Sequence, residues 1–147
     1  MASQRRYNEA IASYETLLRG HPNRVDVRLN LGNAFAITGR TAEAVAQFQI
    51  VLQATPADPS VHNNLGILLS QQGRLSEATT QYVESIRLNP RNPETHYNLG
   101  ALLLQQGKRA EAAAEFGEAL RLKPDFLKAQ QQLKALEAPA TGSGPGK

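Results

Sequence analysis

The sequence predicts an all-α fold, a solenoid of antiparallel helix pairs, and three observations carry that prediction. Compared with itself, the chain has one dominant period of 34 residues. Proline recurs at 22, 56, 90 and 124, and glycine at 32, 66 and 100 and again at 39, 73 and 107. Alanine recurs at 10, 44, 78 and 112, each followed four residues on by an aromatic: Tyr14, Phe48, Tyr82 and Phe116. Within each period the apolar residues fall at helical spacing.

Taken in order, residues 1–24 match only the second helix of a unit, through Tyr7, Ala10, Tyr14 and Leu17 between 7 and 19. Three full units follow, at 25–58, 59–92 and 93–126. Each opens with a helix (25–38, 59–72, 93–106) that meets a glycine able to end it in the left-handed conformation. Pro59 and Pro93 suit a first helical position, and Asp58 and Asn92 stand ahead of them as caps. A second helix in each unit stops before Pro56, Pro90 or Pro124. Gly32, Gly66 and Gly100 lie inside the first helices, where glycine costs about 1 kcal/mol against alanine. Its recurrence there implies close approach of another helix, and Ala44, Ala78 and Ala112 would serve the same end on the facing helix. Residues 127–138 form a last, more polar helix, with Leu133 and Leu136 on one face, as a cap closing a stack requires. The tail 139–147 is rich in Gly, Pro and Ser and is expected to be disordered.

The tripeptide Asn-Leu-Gly at 30–32, 64–66 and 98–100, the Ala-x3-aromatic pairs and the terminal prolines, all at this period, resemble the tetratricopeptide repeat, a helix-turn-helix unit. The resemblance implies a right-handed superhelix whose first helices line a concave groove for protein partners. The family's tryptophan, three residues before the Leu, is here Arg28, His62 or His96.

A helical wheel at about 100° per residue puts Val27, Leu31, Gly32, Ala34 and Phe35 on the core side of the first helix. The opposite side is the candidate binding face: Asp26, Leu29, Asn30, Asn33, Ala36 and Ile37 in one unit, with Asn63, Asn64, Ile67 and Gln71 in the next. In the third it carries Glu94, Tyr97, Asn98, Ala101 and Gln105. A merely solvated face is usually rich in Lys and Glu, whereas this one is rich in amides with exposed apolar groups, a composition suited to contact. Asn30, Asn64 and Asn98 would align on stacking. A carboxamide can pair with both the N–H and the C=O of an extended backbone. This series is similar to the asparagine ladder in the repeat arm of O-linked N-acetylglucosamine transferases, and the alternative is that the amides only bond between neighbouring helices. Family members that capture acidic chaperone C-termini use a two-carboxylate clamp. Asn33 and Asn64 match its asparagines, but Leu29, Glu94 and Asn98 occupy its basic positions, so chaperone-tail binding is not expected.

Other functions are read against. The net charge is +3, but the basic residues are scattered among acids, so no nucleic-acid stripe forms. There is no cysteine, no apolar run long enough to span a bilayer and no signal-peptide pattern, so a cytoplasmic protein or an excised segment is expected. His21, His62 and His96 fit neither a metal site nor acid–base pairing; no cofactor, metal or catalysis is expected. The leading function is a peptide-binding adaptor. The alternatives are a substrate-presenting arm of a larger enzyme such as a glycosyltransferase, and a scaffold that dimerises through its N-terminal half-repeat.

Overall fold

Where the helices begin and end follows from local chemistry. In the computed structural model, which describes residues 1–138, eight α-helices and no strands are found. They fall into two compact units. The first, Met1–Leu88, holds α1 (Ala2–Gly20), α2 (Val25–Ile37), α3 (Thr41–Ala54), α4 (Pro59–Gln71) and α5 (Leu75–Leu88). The second, from Asn89, holds α6 (Pro93–Gln105), α7 (Arg109–Leu122) and α8 (Leu127–Glu137). The tail expected over 139–147 lies outside the described residues.

Pro59 and Pro93 take the first helical turn of α4 and α6, where a missing N–H costs nothing. The Asp58 carboxylate accepts from the N–H groups of Ser60 (3.0 Å) and Val61 (3.2 Å), and the Asn92 carbonyl accepts from that of Glu94 (3.0 Å). At the other end of α2, Gly39 adopts φ +78°. Its N–H donates to Ala36 O (3.2 Å) and that of Arg40 to Phe35 O (2.8 Å), the paired bonds of a Schellman turn. The same turn follows α4 at Gly73 and α6 at Gly107.

Packing is set by the other glycine series. A Cβ built on Gly32 would lie 2.8 Å from the Phe48 ring, on Gly66 2.7 Å from the Tyr82 ring, and on Gly100 2.8 Å from the Phe116 ring. Each first helix therefore receives an aromatic from the helix after it, flush against bare backbone. The three rings are buried, and Ala44, Ala78 and Ala112 beside them are fully excluded from solvent. The core side predicted for α2, Val27, Leu31, Gly32, Ala34 and Phe35, is the buried side.

Tyr14 lies less deep than the other aromatics of its series. It is half-buried and Leu17 is 45% exposed, although their counterparts in α3, α5 and α7 are buried. The reason is that no described helix precedes α1 to present a glycine to the ring. The helix itself begins at Ala2, earlier than the repeat pattern starts, with an exposed Arg5–Glu9 ion pair on its first turns.

Two glycines in second-unit and first-unit helices should respond oppositely to alanine. Gly66→Ala gains helix propensity of about 1 kcal/mol but drives a methyl into the buried Tyr82 ring. Overpacking of about 1–3 kcal/mol should win, lowering the urea midpoint. Gly117 in α7 has nothing within 4 Å of its Cβ position, so Gly117→Ala should raise stability by about 0.5–1 kcal/mol. A further gain is expected at Thr95. Its hydroxyl is fully buried with no hydrogen-bond partner, at the register that holds Val27 and Val61. Thr95→Val should add about 1 kcal/mol in the same denaturation assay, and a loss would show that the hydroxyl is satisfied after all.

Candidate functional site

The first helices present two polar faces with opposite roles. On one, position 62 and its counterparts join the helix to the turn before it and to the helix after it. His62 Nε2–H donates to Pro56 O (2.8 Å), and Nδ1 lies 2.7 Å from the Gln81 carboxamide. In α6, His96 Nε2–H donates to Pro90 O (2.9 Å) and Nδ1 lies 2.7 Å from a Glu115 carboxylate oxygen. In α2, Arg28 donates from Nε (3.1 Å) and Nη2 (2.9 Å) to Pro22 O, and from Nη1 (3.0 Å) to Gln47. Gln130 of α8 donates to Pro124 O at 2.7 Å. Four residues of three side-chain types thus satisfy the carbonyl of the proline six residues earlier. Arg28, His62 and His96 stand at the former tryptophan position, but their bonds are not evident from the residue types alone. The readable signal was the constant six-residue offset from each proline.

The other face carries the predicted binding residues. In the first unit, a pocket of about 470 Å³ opens between α2 and α4. Asn33, Ala36 and Ile37 line it from α2, and Asn64, Ile67, Leu68 and Gln71 from α4, with the buried Phe48 of α3 beneath. It brings together six predicted residues, Asn33, Ala36, Ile37, Asn64, Ile67 and Gln71. Asp26, Leu29, Asn30 and Asn63 lie outside it. Phe48 and Leu68 are buried core residues that also contribute its apolar floor. Among the described residues, the side chains of Asn30, Asn33 and Asn64 form no hydrogen bond, so these amides do not tie helices together.

Asp26 is engaged elsewhere. Its carboxylate accepts from Arg24 Nε (2.8 Å) and Nη2 (2.5 Å), and this bonding holds its pKa down to about 2. On α6 of the second unit, Glu94, Ala101 and Gln105 are exposed and Asn98 is half-buried. Tyr97 is a correction. Its ring packs at 5.6 Å from Phe116 and 5.1 Å from Phe126, part of the cluster that seats α8, instead of standing free on the surface. Burying a large ring against two others outweighs exposing it. Of the large apolar residues on this face, Ile37 is left broadly open, at 57%, while Leu29 and Ile67 are half-buried.

Family models for the tetratricopeptide repeat match residues 2–59, 68–107 and 93–126. The chain belongs to the tetratricopeptide repeat family. Among solved structures, the crystal structure of MamA is similar with a TM-score of 0.86 and 22% identity, over 88% of this chain and 76% of that one. YrrB, described as a tetratricopeptide repeat protein with an unusual peptide-binding site, gives 0.83 and 22% over 90% and 69%. The first repeat domain of RPAP3, bound to the HSP90 peptide SRMEEVD, gives 0.74 and 20% over 77% and 90%. At these identities the likeness establishes the repeat fold. No curated protein matches the chain. Among the described residues no helix is long and apolar enough to cross a membrane, and no group of three or more His, Cys, Asp or Glu could hold a metal ion.

The two faces should separate on mutation. His62→Leu removes both partners of a buried ring and strands the Pro56 carbonyl, so it should cost about 1–3 kcal/mol. Asn64→Ala, two residues on, should change stability by less than about 0.5 kcal/mol. Urea denaturation of both variants checks this, and a large loss at Asn64 would make it a structural residue.

Proposed function

We propose that this tetratricopeptide repeat chain is a protein-interaction module that binds an extended peptide segment in the α2–α4 pocket. The observation that carries the reading is the pairing of uncommitted amides with apolar groups in one concavity. Asn33 and Asn64 spend no hydrogen bond within the described residues, and they flank Ile37, Ile67 and Leu68. A half-buried carboxamide without a partner is poorly suited to stability alone and well suited to a ligand's backbone. The peptide-binding site reported for YrrB and the bound peptide of RPAP3 are in keeping with this use of the fold. Partners reach such a face by main-chain hydrogen bonding, with pockets supplying selectivity. On this reading the chain acts by binding and not by catalysis, whether alone or as the substrate-presenting arm of an enzyme.

Self-assembly through the chain ends is the weaker reading. In the 34-residue register, α8 carries Lys134 where α2, α4 and α6 carry the glycine that receives an aromatic. Docked on α1 of a second copy, Lys134 would meet Tyr14 where bare backbone is needed.

The purified chain, screened against an unbiased peptide library, should select binders. Asn33→Ala combined with Asn64→Ala should weaken them about tenfold while the helical circular dichroism stays unchanged. Selected peptides that bind the double variant as tightly as the parent would remove the pocket from the function.

A further inference from the structure

We infer that the occupant of the α2–α4 pocket is an internal, extended segment anchored by one uncharged aliphatic side chain, not a charged motif or a chain terminus. The inference rests on the peptide-binding reading above and adds the chemistry of the partner.

None of the eight lining residues is ionisable. Neither helix brings a charge to the pocket from elsewhere. The ionisable group of α4 is His62, which is buried on the opposite face and bonded to Pro56 and Gln81. Those of α2 are Asp26 and Arg28. Arg28 is bound to Pro22 and Gln47, and Asp26 is paired with Arg24. Asp26 also lies seven residues before Asn33, about 10 Å away along the helix. A carboxylate or ammonium entering the pocket would lose water without meeting a countercharge, which disfavours it strongly. A terminal carboxylate is excluded on the same ground.

An aliphatic side chain, by contrast, would be desolvated against Ile37, Ile67, Leu68 and the Phe48 ring, and the gain scales with the apolar area covered. Ile37 favours this use, because more than half of its surface stands in solvent at the pocket's edge. The amides then set the backbone form of the ligand. A helix has already satisfied its own N–H and C=O groups, so it offers Asn33 and Asn64 little. An extended strand offers both groups on each exposed peptide unit. Selectivity is thus expected at the anchor, with tolerance on either side of it.

The test uses the full chain and two peptide libraries, one with acetylated and amidated ends and one with free C-terminal carboxylates. Binders from the first should share one Leu, Ile, Val or Met flanked by uncharged residues. Replacing that anchor by serine should weaken binding about tenfold or more, and Ile37→Asp, at an exposed site, should do the same without loss of helicity. Affinity should change little with salt. Enrichment of acidic or free-carboxylate peptides, binding that falls steeply with ionic strength, or peptides that turn helical on binding would overturn the anchor chemistry while leaving peptide binding in place. No binding at all, or binding indifferent to Asn33, Asn64 and Ile37, would instead remove the peptide-binding reading and this inference with it.

Discussion

Everything in the fold depends on one contact, an aromatic ring laid on a glycine inside a helix. Without a Cβ at Gly32, Gly66 or Gly100, the next helix can approach until Phe48, Tyr82 or Phe116 touches backbone. That proximity brings the small residues Ala44, Ala78 and Ala112 into full burial and fixes the helix's rotation about its own axis. Rotation decides what the opposite side of each first helix exposes. A slight turn of α4 would take Asn64 and Ile67 out of the pocket and His62 away from the Pro56 carbonyl. The helix-propensity penalty of a central glycine is therefore the cost of orienting both polar faces.

The fold was legible because each of its devices is periodic. The helix-ending Gly39, Gly73 and Gly107 differ from the helix-packing glycines only by register, and the period separates the two classes. Caps at Asp58 and Asn92 follow directly from their place before a proline. The candidate face was less legible. A helical wheel tells which side of one helix looks away from its own core, but not what the neighbouring elements put against that side. Tyr97 shows the gap: its ring is exposed on the wheel, yet Phe126 arrives from the chain beyond to cover it. Phe48 shows the reverse, a buried core residue whose ring also floors the pocket. The bonds of His62 and His96 were hidden for a different reason. Their shared acceptor is a backbone carbonyl, which has no letter in the sequence.

The division of labour across α4 bears on how such a chain acquires a function. His62 and Asn64 are two residues apart, and both are polar and largely shielded. One is fully committed to neighbouring structure, and the other is bonded to nothing among the described residues. The apolar groups around the uncommitted amide, Ile37 and Ile67, are more exposed than the core requires. A site built in this way can change its selectivity by substitution at Ile37, Ile67 or Gln71 without disturbing the glycine seats that hold the helices.

The proline carbonyls carry a consequence of another kind. A bond between two side chains can be lost through change at either end, whereas here one end is main chain and cannot be substituted away. Only the donor is exposed to mutation, and any donor of suitable reach restores the bond. Arg28, the two histidines His62 and His96, and Gln130 are three such solutions, differing in charge, size and shape, to one geometric demand. The joint thus offers half the usual mutational target, and neighbouring units can diverge in chemistry while keeping the same fastening.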